Sequence, residues 1–220
     1  MGDLDRGRMS FQLSAATPSS DPVGFSLSGP FAMQGDGLPV FDLRYQRLLG
    51  PETDESEISS TGSAMFVKTG DQVVEVPPAT ASHLRLGDDG GGFADLGLAG
   101  WVDGAHEATS GDRTTITGTV DVADLLGDVA RVLAQTEGRT APRLDAKQAA
   151  ALRRLVRSSA IEVVLEGDDP LPRSVRATVD FGGRVPSELR QALGRYAAAS
   201  LELTMQLRHL DTKLTVQPPR

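Results

Sequence analysis

Apolar and polar residues alternate at a period of two along most of this chain, and that alternation limits its folds more than any other feature. Ile161, Val163 and Leu165 alternate with Glu162 and Glu166. After Gly167-Asp168-Asp169-Pro170-Leu171-Pro172, the residues Val175, Ala177, Val179 and Phe181 alternate with Ser174, Arg176, Thr178 and Asp180. Successive side chains of a strand point to opposite faces, so each run gathers apolar groups on one face and polar ones on the other. Two such runs across a Gly/Asp/Pro turn predict a hairpin of an antiparallel sheet, dry on one side and wet on the other.

The same pattern recurs from the start. Met9, Phe11, Leu13 and Ala15 share one phase in 4–15, and Val23, Phe25 and Leu27 share the next. Gly29-Pro30 interrupts that second run and predicts a bulge or a sheet edge. Phe41, Leu43 and Tyr45 define a strand over 40–48, and 49–55 reads as a polar connection. Residues 58–69 and 73–76 predict a further pair across Gly70-Asp71, stopped by Pro77-Pro78. The segment 79–111 is expected to be the least ordered, with Gly87–Gly92 mobile and a small apolar anchor at Leu96, Leu98, Trp101 and Val102. Strands are expected over 113–120, over 201–208 (Leu201, Leu203, Met205 and Leu207 in phase) and at Leu214-Thr215-Val216.

Two stretches change period. From the capping residue Asp121, the residues Val122, Leu125, Leu126, Val129, Val132 and Leu133 form a one-sided helical stripe ended by Gly138. Asp145-Ala146-Lys147-Gln148 is a capping box for a second helix, which buries Ala149, Leu152, Leu155 and Val156. Arg153, Arg154 and Arg157 are expected at its C-terminal end, where cations suit the helix dipole. A short helix is also expected over 186–193. The fold class is therefore α+β: about ten antiparallel strands and two main helices in a single domain of residues 1–220, with a helical insertion at 121–157.

Chemistry is sparse. The net charge of −8 argues against a nucleic-acid partner and against docking on anionic lipid by charge alone. The absence of cysteine excludes disulfides and a thiol nucleophile. His83, His106 and His209 show no metal-ligand spacing. Asp88-Asp89 and Asp168-Asp169 lie in Gly/Pro loops, where Asp is ordinary turn chemistry, and neither matches a calcium loop. There is no Gly-x-Ser-x-Gly elbow, and Gly87–Gly92 lacks the Lys-Ser/Thr of a phosphate cradle. No cofactor and no catalytic residue is expected. A sheet with one apolar face must bury it, and two helices are a small cover for so many strands. Either the sheet curls on itself around a closed core, or part of the concave face stays open to a lipid or an apolar segment.

Several strings, in order, resemble the LppX/LprAFG family of actinobacterial lipoproteins, which have a LolA-like fold. They are Phe25-Ser26-Leu27-Ser28-Gly29-Pro30-Phe31; Leu38-Pro39-Val40-Phe41-Asp42-Leu43; Ser60-Thr61-Gly62 before Met65-Phe66-Val67-Lys68; and Val73-Val74-Glu75-Val76-Pro77. Thr115-Ile116-Thr117-Gly118-Thr119-Val120-Asp121-Val122, the 161–165 strand with its Gly-Asp-Asp turn, and the ending Leu214-Thr215-Val216-Gln217-Pro218-Pro219 complete the set.

The resemblance implies a curved half-barrel sheet with helices in or over its concave face and a lipid or acyl chain between them. It also implies a non-catalytic, extracytoplasmic protein of the cell envelope, membrane-proximal through a lipidated leader, with an envelope protein as a further partner. The sequence departs from that pattern: it has no Cys, and it opens Met1-Gly2-Asp3 almost directly on a strand pattern. A leader is therefore expected only in a precursor. The cavity lining expected from the inward phase is Phe25, Leu27, Phe41, Leu43, Ile161, Val163, Val179, Leu203 and Met205, with Leu126 and Val129 from the first helix. Two rival expectations are a closed-core interaction or sensor module acting through 79–111, and a hydrolase using loop carboxylates.

Overall fold

The structure, a computed structural model, describes residues 6–17, 20–33, 38–81, 97–136, 144–167, 172–183, 198–210 and 212–219. Among these, eleven strands form one antiparallel sheet that is curved and does not close. They are β1 (Arg6–Thr17), β2 (Ser20–Ala32), β3 (Val40–Leu49), β4 (Glu52–Thr61), β5 (Met65–Thr69), β6 (Gln72–Glu75), β7 (Val102–Ser110), β8 (Arg113–Val120), β9 (Val156–Glu166), β10 (Ser174–Gly182) and β11 (Ala198–His209). A short helix α1 (Pro78–Ala81) and a 3-10 turn (Leu98–Trp101) precede β7. Helices α2 (Val122–Thr136) and α3 (Ala146–Leu155) lie between β8 and β9.

The strand order is β6-β5-β4-β3-β2-β1-β11-β10-β9-β8-β7. Each half is a meander of sequential neighbours, and the two halves meet where the first strand pairs with the last. That ladder runs from Gly7↔His209 to Ala16↔Ser200 and sets Phe11 opposite Met205 and Leu13 opposite Leu203. The expected hairpin is present as β9 and β10, in register at Val163↔Val175 and Ile161↔Ala177. It is not the centre of the sheet, which falls at the β1–β11 seam.

The period-two pattern survives almost intact. Met9, Phe11, Phe25, Leu27, Phe41, Leu43, Ile161, Val163, Val175, Val179, Leu201, Leu203 and Met205 are all buried, and they form one core with Val122, Leu125, Val129, Leu152 and Leu155 of the helices. Their neighbours on the other phase, such as Ser10, Gln12, Glu162, Arg176 and Glu202, are exposed. The cover is therefore α2 and α3 laid on the apolar face.

Four expectations about the strands are corrected. Residues 49–55 are not a connection: β4 begins at Glu52, after a turn at Gly50-Pro51. Its first residues, Glu52 to Glu55, are exposed and carry no apolar alternation; Arg47 and Arg44 reach across to Asp54 and Glu55 at 2.7 and 2.6 Å instead. The far end of 79–111 is also ordered, as the edge strand β7, where every residue after Val102 is exposed and so shows no dry phase. Leu214-Thr215-Val216 makes no strand. It follows β11, whose two edges are already taken by β1 and β10.

Finally, Gly29-Pro30 makes neither a bulge nor an edge. The β2–β3 register is unshifted across it, from Ser28↔Arg44 to Phe31↔Phe41, in a strand flanked on both sides. Proline has no N–H for a ladder, so pairing lapses there without displacing the strand. Gly29 sits at φ 153°, and a Cβ on it would lie 2.0 Å from the Asp42 carbonyl oxygen. The expected turn at 168–171, the Gly87–Gly92 run and the helix at 186–193 lie outside the described residues.

Gly29→Ala therefore combines a disfavoured φ with a backbone collision, and is expected to cost about 2 kcal/mol or more. A denaturant midpoint within error of the parent would show that the β2–β3 approach relaxes freely.

Candidate functional site

The candidate site is the apolar trough between the sheet and its helical cover. The cover is an excursion that leaves the sheet and returns to it at one place. β8 and β9 are paired up to Gly118↔Ile161, and Ser159 Oγ then accepts from the Val120 N–H at 3.0 Å. From there α2 departs after one residue, and α3 runs directly into β9. Both helices are thus tethered to one side of the trough.

The base of this excursion is clasped electrostatically. Asp121 Oδ1 caps α2 by accepting from the N–H groups of Ala123 and Asp124 at 3.0 and 3.2 Å. The Arg153 guanidinium, at the end of α3, donates to Asp121 Oδ2 from two nitrogens at 2.9 and 2.6 Å. Burial alone would raise the Asp121 pKa, but the Arg153 bonds and the two backbone N–H groups outweigh it and hold the carboxyl below its ordinary value. The Arg153 guanidinium moves the opposite way, raised by the same hydrogen bond. The expected capping box of α3 is complete, with Asp145 accepting from the Gln148 N–H and Gln148 from the Asp145 N–H. Arg157, expected beside Arg153 and Arg154 at a helix end, lies instead in β9, because the strand already begins at Val156.

A second clasp holds the 3-10 turn. Trp101, fully buried, donates from Nε1 to Asp128 Oδ2 at 2.9 Å, and the Gly97 N–H donates to the same oxygen at 2.8 Å. Arg131 pairs with the other carboxylate oxygen. The Trp101 carbonyl accepts from Asp121 N–H at 2.9 Å, so the turn is fixed to the start of α2. The expected apolar anchor at Leu98, Trp101 and Val102 is therefore present, and Asp128 is the partner that the sequence pattern did not show. Leu96 lies outside the described residues.

The eleven expected lining residues are gathered in the trough. Phe25, Leu27, Phe41, Leu43, Val129, Ile161, Val163, Val179, Leu203 and Met205 all belong to the buried core, and Leu126 is half-buried against it. Phe25 is stacked on Phe11, with ring centroids 5.5 Å apart, and tilted against Tyr45 at 6.1 Å. Leu203 on β11, Val175 and Ala177 on β10, and Val122 and Leu125 on α2 have no exposed surface. The apolar area does not stop at the core: Leu13, Tyr45, Ile58, Ile116, Leu126 and Leu207 form a half-buried border around it.

Other chemistry is thin. His106 is exposed on β7 and His209 ends β11, also exposed; His83 and both Asp-Asp pairs lie outside the described residues. Among the described residues, no three His, Cys, Asp or Glu side chains converge as a metal site, and no helix is long and apolar enough to cross a membrane.

The fold class is thus an unclosed antiparallel half-barrel with a two-helix cover, as the sequence strings imply. No protein-family model matches the chain, and no characterised protein matches it in sequence. Two solved structures resemble it and come from the fold families named above. One is the crystal structure of LprF from Mycobacterium bovis, 15% identical over 99% of this chain and 90% of that one, with a TM-score of 0.46. The other is a LolA superfamily protein from Nitrosomonas europaea, 10% identical over 97% and 91%, with a TM-score of 0.25. At these scores neither likeness carries functional weight.

The Asp121–Arg153 clasp gives a pH signature. A folded pKa held below the unfolded value of about 3.9 contributes stability at higher pH that is lost as pH falls through the folded pKa. Arg153 is about half exposed, so the contribution is discounted to about 1 kcal/mol. Asp121→Asn keeps a capping oxygen but loses the charge. It should be less stable than the parent at neutral pH and lose less stability below about pH 4. Parallel acid-unfolding curves for the two proteins would remove the clasp from the account.

Proposed function

We propose that the chain binds the acyl chain of a lipid in the trough, as a non-catalytic, extracytoplasmic binding or carrier protein of the cell envelope. One observation carries this reading: a concave and predominantly apolar sheet face is covered by two helices whose chain connections to the sheet both lie at β8 and β9. The core shared by cover and sheet is apolar, with Val122, Leu125, Val129, Leu152 and Leu155 of the helices beside Phe, Leu, Met and Val side chains of the sheet. An acyl chain entering between them replaces one set of apolar contacts with another, and each methylene it buries contributes roughly 0.8 kcal/mol. The half-buried border, with Leu126 on the cover side and Leu13, Tyr45 and Ile58 on the sheet side, is the natural line of entry. The family resemblance of the sequence strings supports the same reading, including a lipidated leader on a precursor and transfer of the cargo to an envelope partner.

A second reading has its own observation. Leu203 of the expected lining is packed without exposed surface, as are Val175 and Ala177 on the neighbouring strand. Such packing suits a closed core whose function lies in contacts with another protein.

Mass spectrometry of an organic extract of detergent-free protein, purified from a membrane-containing bacterial lysate, separates the two. The trough reading expects co-purifying lipid approaching about one molecule per chain. It also expects a long-chain fatty acid or lysolipid to raise the Tm and to shift the emission of Trp101, the chain's single tryptophan, which sits at the foot of α2. Leu126→Glu, on the border, should lower lipid occupancy severalfold with the fold retained. A lipid-free extract together with an unmoved Tm and emission would favour the closed core.

A further inference from the structure

We propose that the wet face of the sheet carries a binding site for a phosphate group, built on Arg208 with Arg8 on one side and Arg173 on the other. The site goes beyond the lipid reading and is independent of it. Arg8 and Arg208 stand directly opposite each other in the β1–β11 ladder, both exposed and both on the phase away from the core. Like charges directly opposite across two strands repel and destabilise the sheet. This pair occurs in a chain with 30 acidic and 22 basic residues, where an acidic neighbour would be the ordinary choice. The exposed arginines elsewhere on the same face have such neighbours: Arg44 pairs with Glu55 at 2.6 Å and Arg176 with Glu202 at 3.3 Å. Among the described residues neither Arg8 nor Arg208 makes an ion pair, and on its other side Arg8 faces the uncharged Pro30.

A cavity of about 460 Å³ opens beside Arg208, lined also by Arg173, Ser174, Gln206, Glu166 and His209. Arg173 is fixed there by its backbone, whose carbonyl accepts from the Leu207 N–H at 2.9 Å and whose N–H donates to Val164 at 2.7 Å. Its Nε is ion-paired with Glu166 Oε2 at 2.8 Å. Two arginines, an amide and a hydroxyl thus line one open space with a single carboxylate. Planar arginine donors match the oxygens of a phosphate group in a bidentate way. Such an anion would answer the repulsion between Arg8 and Arg208. The group could belong to free phosphate or to a phospholipid head group; the recognising chemistry is the same.

The test is thermal unfolding of the full chain at low salt, titrated with sodium phosphate or with sodium chloride at matched ionic strength. The parent should show a saturable rise in Tm with phosphate beyond that with chloride. The double variant Arg8→Gln/Arg208→Gln should lose that difference and, with its repulsion gone, melt higher than the parent in the absence of phosphate. Arg44→Gln, which removes an arginine that already has a partner, should keep the phosphate response. Sedimentation with phosphatidylglycerol and phosphatidylcholine vesicles then separates the sources. Binding to the former that the double variant loses assigns a head-group phosphate, whereas phosphate stabilisation without vesicle binding assigns a free phosphate. The proposal is overturned if phosphate and chloride act alike on the parent, or if the double variant responds as the parent does. Acyl-chain occupancy of the trough should be the same in all these proteins, because the site lies on the other side of the sheet.

Discussion

The pairing of the first strand with the last holds this structure together as one sheet. Without the β1–β11 ladder there would be two meanders, each with an additional open edge and half an apolar face. Pairing strands from opposite ends of the chain requires closing a loop almost as long as the protein, which is entropically costly and slow to form. The seam offsets this with apolar cross-strand pairs, Phe11 against Met205 and Leu13 against Leu203.

Because the sheet does not close, its apolar face has to be covered from outside. The cover comes from a single excursion between neighbouring strands β8 and β9, and its ends are joined by Asp121 and Arg153. An excursion anchored in this way costs little to build, since its start and finish are already adjacent. The far margin of the cover has no chain connection to the neighbouring strands among the described residues, and the proposed acyl-chain site rests on that difference.

The two sheet edges and the wet face obey a different logic. Edge strand β6 is four residues long and is followed by Pro77-Pro78; edge strand β7 is irregular between Asp103 and His106, and its exposed residues carry no large apolar side chain. Short, irregular or charged edges resist pairing with other chains. On the wet face most arginines have an acidic neighbour across the ladder, which makes the unmatched Arg8 and Arg208 informative.

The chain's local chemistry determined the elements. Period-two alternation marked the strands wherever one face was dry, the change of period marked α2 and α3, and the inward phase named residues that share one buried core, from Phe25 to Met205. It failed where a strand has no dry side, as in β7 and the start of β4, because alternation records burial rather than strand conformation. Only the tertiary structure decided which strands are neighbours. Pairing is a long-range property: nothing near Phe11 specifies Met205, and nothing near Arg8 specifies Arg208. For the same reason the bonds of Asp121 to Arg153 and of Trp101 to Asp128 could not be read from spacing, since each joins residues that only packing brings within reach.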